Sequence, residues 1–355
     1  MILDLAPEDE ELKQISEDFT INESDGSTVK VYEKGIAGQT DFPWLCAKFD
    51  DNDEFIVSCY SNGQIEIHDA DSCDYICHLE EDEEETKKAV CTMVKWRPGI
   101  EPDAILAVDV AGEIRRYSKK EKKQIERIVT EEGDNNRLFA LDYSPEGDTF
   151  ATGGTDHFVR VYDDATMKLK VKLDPFYTGN AGHSNRIFWV SYNKEDPNLI
   201  ASAGWDSTVI IHDIRKKGPI SGILGPYVCG DSLEFHGKDV ITGSWRNENQ
   251  LQVWDTRTTK KIKDIDWDGN NFESDAPVRI FCLARSHHES INSIMIAGGG
   301  QSNELRVFNQ DLEAVVNITD MSRGVFTWDI SHHSDAILFA GGDGVIRVWK
   351  VIIYN

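Results

Sequence analysis

The amino-acid sequence predicts an all-β chain made of seven similar units. Its apolar residues come in short runs, such as residues 187–190, 199–203 and 209–211, and turn residues separate one run from the next. Short apolar runs bounded by glycine, proline, asparagine and aspartate are typical of strands rather than helices. Each unit contains three or four such runs, and the units recur along nearly the whole chain.

The period is marked by the residue near the end of the third run of each unit. An aromatic residue or a histidine occupies this place in all seven units, and successive markers are 41 to 54 residues apart. A flat ring suits the place because it can pack between neighbouring sheets. The markers are His68, Tyr117, Tyr162, His212, Trp254, Phe308 and Trp349.

The fourth unit carries the clearest motif. It opens with a Gly-His pair that contains His183, places Asp206 in the turn after its second run, and closes its third run with a His-Asp pair that contains His212. This order resembles a WD repeat, in which Trp-Asp closes the third strand. His212 departs from that pattern, whereas Trp254 in the fifth unit is followed by the expected aspartate. The resemblance implies a seven-bladed WD-repeat β-propeller.

One orphan run predicts how the ring closes. The last unit ends without a clear fourth run, whereas residues 28–32 form a run that belongs to no unit. Pairing this run with the last unit would join the two ends of the chain and leave no open sheet edge. We therefore predict an acidic N-terminal tail over residues 1–27, either solvated or docked on a partner, and a propeller over residues 28–355. The seven units span residues 44–79, 89–130, 137–173, 182–224, 230–266, 279–318 and 324–354.

The composition excludes several classes of function. With 37 basic and 63 acidic residues, the chain has a formal net charge of -26. Nucleic acids and anionic membranes are bound through dense Lys/Arg surfaces, so we expect neither as a main partner. The sequence contains no apolar run of membrane-spanning length and no secretory signal. The seven cysteines lack the spacing of a disulfide framework, and we expect reduced thiols in a cytoplasmic protein.

Two groups of residues imitate a hydrolase site. His183, Ser202 and Asp206 have the types of a catalytic triad, but in WD repeats these positions form a buried hydrogen-bond network, and we expect that structural role here. Residues 230–233 match the GDSL hydrolase motif, and Asp329 and His332 have its later Asp-x-x-His spacing. A GDSL serine lies at a strand-to-helix turn of an α/β sheet, which this all-β pattern lacks. A GDSL-like hydrolase is therefore a remote alternative, and we expect no enzyme activity, cofactor, metal or small-molecule substrate.

The more informative pattern is positional. In WD-repeat propellers, the segment before each first strand and the turn after each second strand open on the same face, and function usually lies on such loops. Converging arginine and tryptophan side chains are typical anchors of protein interfaces. We call this side of the propeller the Arg/Trp face. Its predicted protein-binding residues are Trp44, Tyr60, Arg137, Arg186, Trp205, Trp245, Arg246, Arg279 and Arg323.

Two interpretations of this face remain open at the level of sequence. Its arginines either select an acidic segment of a protein partner, or pair with local acids such as Asp134, Asp206 and Asp275 and merely line the channel mouth. The first interpretation predicts a non-catalytic scaffold or adaptor in a multi-subunit complex. The alternative is a structural subunit of a cytoskeletal or ciliary assembly that docks through blade edges and the N-terminal tail.

Overall fold

Seven antiparallel sheets surround a central axis in the computed structural model, and each sheet forms one blade of a propeller. The described residues are 19–22, 28–36, 42–81, 89–99, 103–130, 136–267, 279–285, 295–301, 303–318, 321–334 and 336–354. The first strands of successive blades pack side by side around the axis, from blade 1 through blade 7 and back to blade 1. The predicted all-β, seven-bladed fold is confirmed.

Six blades have four strands each, and the seventh combines both ends of the described chain. Blade 1 contains β3 (Trp44–Phe49), β4 (Phe55–Tyr60), β5 (Ile65–Asp69) and β6 (Tyr75–His78), and blade 2 contains β7 (Cys91–Trp96), β8 (Ala104–Asp109), β9 (Glu113–Ser118) and β10 (Lys123–Val129). Blade 3 contains β11 (Leu138–Tyr143), β12 (Thr149–Gly154), β13 (Val159–Asp163) and β14 (Leu169–Leu173). Blade 4 contains β15 (Ile187–Tyr192), β16 (Leu199–Gly204), β17 (Thr208–Asp213) and β18 (Gly218–Leu224).

The remaining blades follow the same order. Blade 5 contains β19 (Leu233–His236), β20 (Asp239–Gly243), β21 (Leu251–Asp255) and β22 (Lys261–Ile265), and blade 6 contains β23 (Arg279–Arg285), β24 (Met295–Gly300), β25 (Leu305–Phe308) and β26 (Ala314–Ile318). Blade 7 contains β27 (Val325–Ile330), β28 (Ala336–Gly341) and β29 (Ile346–Tyr354), together with β1 (Phe19–Asn22) and β2 (Thr28–Ile36). A helical turn, α1 (Pro175–Thr178), and a 3-10 turn at Ile214–Lys216 lie among these strands.

The ring closes through β2, which contains the run that the sequence analysis assigned to no unit. β2 pairs with β29 along nearly its whole length, from Thr28 opposite Tyr354 to Ile36 opposite Arg347. The predicted closing strand is confirmed, and it extends four residues beyond the predicted run. The structure also adds β1, which lies inside the range assigned to the tail and pairs with β2. Residues 1–18 lie outside the described part, so the boundary between tail and propeller stays a prediction.

The marker residues occupy equivalent positions in the seven sheets, as expected. All seven lie in third strands, and each faces the equivalent second-strand position, as Tyr162 faces Phe150 and Trp254 faces Val240. The rings of Phe150 and Tyr162 stack with centroids 5.1 Å apart. Because each sheet buries its apolar side chains against the next blade, the core is a series of interfaces between sheets rather than a single centre.

Hydrogen bonds between first strands join neighbouring blades next to the channel. The amide of Ala47 in blade 1 donates to Thr327 Oγ1 in blade 7 at 3.0 Å, and the amide of Tyr192 in blade 4 donates to Asp142 Oδ2 in blade 3 at 2.8 Å. Such side-chain to backbone bonds satisfy groups that cannot pair within their own sheet. They fix the heights of adjacent blades relative to each other.

The cysteines agree with the expectation drawn from composition. All seven are unpaired thiols, six of them buried, and Cys229 is half-buried. Within the described ranges, no helix has both the length and the apolar character that crossing a bilayer requires.

Deleting the closing strand tests its role in stability. A chain without residues 1–36 loses β1 and β2 and exposes the edge of β29, so we expect its thermal unfolding midpoint to fall by at least about 5 °C. A chain without residues 1–18 retains both strands and serves as the matched control. Equal midpoints for the two deletions, measured by circular dichroism, would show that ring closure contributes little.

Candidate functional site

The Arg/Trp face is built from two kinds of loop that meet at one end of the blades. Trp205 follows β16 and Trp245 lies two residues after β20, both in turns after second strands. Arg186 directly precedes β15, and Arg279 opens β23, so both stand at the start of first strands. First and second strands are antiparallel, and therefore these two positions of a blade lie side by side.

Glycines at the ends of second strands set the position of two of these arginines. A Cβ atom on Gly204 would lie 2.0 Å from the carbonyl oxygen of Arg186, and one on Gly299 would lie 1.9 Å from that of Arg279. No side chain fits at such distances, so only glycine permits the close approach of the two backbones. The approach brings each arginine next to the turn that follows its glycine.

Aromatic rings form a first array over blades 3 and 4. Phe139 stacks on Phe188 with centroids 4.8 Å apart, and Phe188 contacts Trp205 at 4.9 Å. The Arg186 guanidinium lies 4.6 Å from the Trp205 ring centre, within the range of a cation–π interaction. Trp205 remains 37% exposed and can contact a ligand. The ring of Tyr227 lies parallel to it at 6.4 Å.

A second array covers blades 5 to 7 with the same chemistry. Trp245 meets Phe281 edge to face at 5.9 Å, and Phe281 contacts Phe326 at 5.4 Å. Arg279 lies 5.8 Å from the Trp245 ring centre, and its Nε donates to Asn247 Oδ1 at 3.0 Å. Both arrays place an arginine on a tryptophan beside a phenylalanine. The first pair lies within blade 4, whereas in the second the tryptophan of blade 5 contacts the arginine and phenylalanine of blade 6.

The four phenylalanines occupy one equivalent position. Phe139, Phe188, Phe281 and Phe326 each lie where the pairing of a first strand with its second strand shifts by one residue. Such a bulge turns its side chain out of the regular alternation, here leaving each ring half-buried at the channel mouth. We call these four rings the aromatic collar. Three of the four follow the same sequence pattern, Arg-(Ile/Leu)-Phe, at residues 137–139, 186–188 and 279–281.

The arginines of this face have no acidic partner among the residues that the structure describes. The side chains of fourteen arginines are described, and nine of them form ion pairs with aspartate or glutamate. In the described part of the chain, the other five have no carboxylate within ion-pair distance. These five are Arg137, Arg186, Arg246, Arg279 and Arg323, the arginines that the sequence assigned to the face.

This finding bears on the alternative in which local acids neutralise the face. Asp206 binds His183 and the amide of Ser184 instead of Arg186. Asp134 and Asp275 lie outside the described residues. Arg246 donates to the Ser207 hydroxyl at 2.9 Å and Arg323 to the Gly342 carbonyl at 3.4 Å, and both acceptors are neutral.

Two predicted site residues do not belong to the surface. Trp44 is fully buried and Tyr60 is 5% exposed; their rings pack together, and the Tyr60 hydroxyl donates to Glu66. Trp44 pairs with Tyr60 across the sheet, so it takes the buried position of Ile187 in blade 4. The predicted alignment of the first unit with the other units was therefore wrong by one residue. In a strand, a shift of one residue exchanges an exposed position for a core position.

Arg323 also lies one residue away from the position predicted for it, which is that of Arg186 in blade 4. Gly341 of blade 7 approaches the carbonyl of Gly324, not that of Arg323, so Gly324 takes the place that Arg186 has in blade 4. Arg323 nevertheless lies at the same end of its blade and is exposed. The structure therefore brings together Arg137, Arg186, Trp205, Trp245, Arg246, Arg279 and Arg323 on one face.

The expected network of blade 4 is formed. His183 bonds Asp206 Oδ2 through Nδ1 and the Ser202 hydroxyl through Nε2, both at 2.8 Å. The Ser202 oxygen lies 2.8 Å from His212 Nε2. In blade 5, Trp254 Nε1 donates to Thr242 Oγ1 at 3.2 Å, at the equivalent place. The His212 ring thus takes the place of the tryptophan ring at this end of the network.

Burial controls the charges of this network. Burial lowers the pKa of His212 to about 3, so the ring is neutral at physiological pH. Burial alone would raise the pKa of Asp206, but the hydrogen bonds it accepts, above all from His183, lower it to about 2. The Ser202 side chain is fully buried and joins two histidine rings, which is the structural role that the sequence analysis expected.

An ion pair crosses the channel below the collar. Lys48 of blade 1 donates to Asp231 Oδ2, which precedes blade 5, at 2.5 Å and to the carbonyl of Trp328 at 2.7 Å. Burial raises the pKa of Asp231 to about 6, against the influence of Lys48 and Lys95. Burial alone would lower the pKa of Lys48, but the charges of Asp231 and Asp329 raise it.

A cavity of about 550 Å³ opens on the opposite face of the propeller. Charged and aromatic side chains line it, including Lys48, Lys95, Asp142, Trp189, Lys194 and Asp329. This charged ring was not predicted from the sequence. Its signal was a charged residue at one equivalent place in several otherwise apolar first strands, namely Lys48, Lys95, Asp142, Glu234 and Asp329.

Ser232 of the GDSL match has a structural role. Its side chain is fully buried, and its hydroxyl donates to the carbonyl of Gly243 at 3.0 Å. It precedes β19 at the place that Ala140 has in blade 3, in a sheet without a strand-to-helix turn. Asp231 is bound to Lys48, and His332 is exposed at the opposite face.

A family model and several known proteins each match a part of this chain. A family model described as WD domain, G-beta repeat matches residues 126–163 and 175–213, which fall in blades 2 to 4. Cell division cycle 20.1, cofactor of APC complex, from Arabidopsis thaliana is 22% identical over 228 residues, 63% of this chain and 47% of the relative. Meiotic fizzy-related protein 1 from Schizosaccharomyces pombe is 20% identical over 292 residues, 70% of this chain and 64% of the relative. APC/C activator protein CDH1 from Saccharomyces cerevisiae is 22% identical over 236 residues, 63% of this chain and 37% of the relative.

The His212 environment predicts a pH dependence of stability. The unfolded chain takes up a proton on this ring below its ordinary pKa of 6.5, whereas the folded chain does so only near pH 3. Folding stability is therefore lost as the pH falls through this window, by about 2 kcal/mol between pH 7 and pH 5. His212→Gln cannot titrate, and urea unfolding at both pH values should show a drop smaller by about that amount. An equal drop in both proteins would contradict the prediction.

The channel ion pair predicts a second effect on stability. Lys48→Met leaves Asp231 buried beside the channel without its principal partner, and we expect a loss of about 3 kcal/mol in urea unfolding. Adding Asp231→Asn should recover most of the loss, because residue 231 then carries no buried charge. Lys261→Met removes the exposed pair with Asp264 and should cost less than about 1 kcal/mol. Equal losses for Lys48→Met and Lys261→Met would rule out this account.

Proposed function

We propose that the chain is a WD-repeat propeller that acts as a non-catalytic adaptor and binds protein partners through the Arg/Trp face. The residues proposed to make this contact are Arg137, Arg186, Trp205, Trp245, Arg246, Arg279 and Arg323. The proposal places the protein in the cytoplasm, as one member of a multi-subunit complex.

The observation that carries the proposal is the set of five arginines without carboxylate partners. Other exposed arginines of this chain do find acids: the side chains of Arg215 and Arg257 are 56% and 68% exposed, and both pair with aspartates. Five guanidinium groups on one face, two of them resting on tryptophans, offer charge-assisted hydrogen bonds to an acidic ligand. The neighbouring aromatic rings supply apolar contact area of the kind that dominates protein interfaces.

The relatives support the same class of function. Two of the three named above are, by their names, a cofactor of the APC complex and an activator of APC/C. This chain spans only about a third to two thirds of their length, so partners are not transferred from them. We propose only that it too associates with a multi-subunit complex.

The alternative of a cytoskeletal or ciliary subunit uses other surfaces. Such a subunit would dock through the blade edges and the N-terminal segment, and would be insensitive to changes on the Arg/Trp face. None of the relatives named above favours it. The hydrolase alternative is disfavoured by the structural use of Ser232.

A double substitution tests the proposed site. Trp245→Ala combined with Arg279→Ala removes one complete arginine–tryptophan pair, and truncating a central anchor of either type costs about 2 kcal/mol or more of binding. We therefore expect captured partners to be lost from the double variant in a native-lysate pull-down. Circular dichroism first confirms that the variant is folded.

The matched control is Arg215→Ala with Arg257→Ala. These arginines are also exposed, but they lie at the opposite end of the blades and are paired with acids. This control should retain the partners. If the Trp245→Ala, Arg279→Ala variant binds the same proteins with unchanged affinity, the Arg/Trp face is not the site, and the blade edges become the leading candidate.

A further inference from the structure

The cavity on the face opposite to the Arg/Trp face ends inside the ring. The ring of Trp189 comes from blade 4, and its centre lies 5.5 Å from Lys95 Nζ of blade 2 and 5.9 Å from Lys48 Nζ of blade 1. Trp189 therefore reaches across the channel, next to the place where the Lys48–Asp231 pair crosses it. Lys48, Trp189 and Asp231 are all buried. These groups fill the channel at mid-height, and we call the recess below them the channel cup.

The channel cup has the dimensions of a small-molecule site. Its volume is about 550 Å³, and ligand pockets commonly measure roughly 300–1,000 Å³. Its lining combines charged side chains with aromatic residues that include Trp96, Tyr192 and Phe235. In small-molecule sites, apolar and aromatic groups supply contact area, and a few polar groups fix the orientation of the ligand. The cup therefore has both the room and the lining that an organic ligand requires.

Four charged groups of the cup neutralise each other in two ion pairs. The first is the Lys48–Asp231 pair described above. In the second, Lys95 Nζ lies 2.9 Å from Asp142 Oδ1, and Asp142 Oδ2 accepts a hydrogen bond from the amide of Tyr192 at 2.8 Å. These four groups are satisfied within the protein, so they do not require a charged ligand.

Two further groups of opposite charge have no ion-pair partner among the residues that the structure describes. They are Lys194, in the turn after β15 of blade 4, and Asp329, in β27 of blade 7. Asp329 Oδ2 accepts a hydrogen bond from the neutral amide of Phe49 at 3.0 Å. Lys194 is surrounded by protein but still reached by solvent. Burial lowers its pKa, against the influence of carboxylates that include Glu234 and Asp329.

A single ligand can satisfy both of these charges. Blades 4 and 7 are three positions apart in the ring, so Lys194 and Asp329 approach the cup from different sides. The charge of Asp329 influences the pKa of Lys194, so the two groups lie along the same recess. A carboxylate would accept hydrogen bonds from Lys194, and an ammonium group would donate to Asp329. A ligand with only one sign of charge would be attracted by one of these residues and repelled by the other.

We propose that the channel cup binds a small zwitterion, which is a molecule with one ammonium group and one carboxylate, such as an α-amino acid. The carboxylate binds Lys194, the ammonium group binds Asp329, and the apolar part contacts the aromatic lining. The cup and the Arg/Trp face lie on opposite sides of the ring, so this site goes beyond the adaptor function and does not depend on it. A bound zwitterion connects blade 4 with blade 7 and thereby stabilises the folded ring.

Isothermal titration calorimetry of the full chain tests the proposal. The probes are the proteinogenic α-amino acids together with β-alanine, γ-aminobutyrate and ε-aminocaproate, which differ in the distance between their two charges. We expect at least one probe to bind with a Kd below about 1 mM. The analogues of that probe without the ammonium group or without the carboxylate should each bind at least about tenfold more weakly, because each loses a charge-assisted hydrogen bond.

Two variants locate the site. Lys194→Met and Asp329→Asn should each weaken binding of the zwitterion at least about tenfold. In Lys194→Met, the zwitterion and its analogue without the carboxylate should bind with similar affinity, because the group that recognises the carboxylate is gone. In Asp329→Asn, the same should hold for the analogue without the ammonium group. A variant that is merely distorted would weaken the zwitterion and both analogues by the same factor.

Lys238→Met is the matched control. Lys238 is exposed in the corresponding turn of blade 5, but it is not among the residues that line the cup, so this variant should bind the zwitterion like the unmodified chain. The Trp245→Ala, Arg279→Ala variant should also bind it normally, because it changes the opposite face.

Four outcomes would overturn the proposal. No probe binds, or a singly charged analogue binds as tightly as the zwitterion. Alternatively, Lys194→Met and Asp329→Asn leave the affinity for the zwitterion unchanged, or each variant weakens the zwitterion and both analogues by the same factor. Because the adaptor function is tested by partner capture on the opposite face, each of these results leaves it standing.

Discussion

Closure of the ring is the constraint on which the rest of the structure depends. A four-stranded blade has two faces with apolar side chains, and each face is buried only by the next blade. Seven blades satisfy this condition only if the last one meets the first, and blade 7 would be one strand short without β2. The pairing of Thr28 with Tyr354 and Ile36 with Arg347 thus protects an edge and also fixes the spacing of all first strands around the channel.

The Arg/Trp face is a consequence of that spacing. The first strands of six blades bulge at the same place, and in four of these blades a phenylalanine occupies the bulge. The ring brings these side chains together although they are far apart in sequence. Glycines such as Gly204 and Gly299 then hold the preceding arginines close to the ends of the second strands. There Trp205 of the same blade contacts Arg186, and Trp245 of the neighbouring blade contacts Arg279. The same repetition places charged residues lower in the channel, where Lys48 and Asp231 must pair because both are buried.

Much of this arrangement can be predicted from the sequence, because a single sequence is enough to reveal the period of the repeats. The marker rings predicted the third strands, and the orphan run predicted ring closure. The exact register of the strands was harder to predict from the sequence. Trp44 and Tyr60 are aromatic residues at a strand start and a strand end, and the sequence alone does not tell which of two adjacent places is exposed. A shift of one residue placed both in the core. The Lys48–Asp231 pair could not be predicted either, since 183 residues separate its members and only the closed ring brings them together.

The positive charge of the Arg/Trp face is opposite in sign to the net charge of the chain. With 63 acidic and 37 basic residues, an arginine at a random surface position should find an acid nearby, as Arg97, Arg215 and Arg257 do. Burial is not what separates the two groups of arginines, because Arg160 and Arg306 are fully buried and also paired. The difference lies in the surroundings: described acids near the face, such as Asp206, are bound to their own networks. An acidic protein with a basic face attracts acidic segments to that face and repels them elsewhere, so electrostatics directs an acidic ligand to one side of the ring.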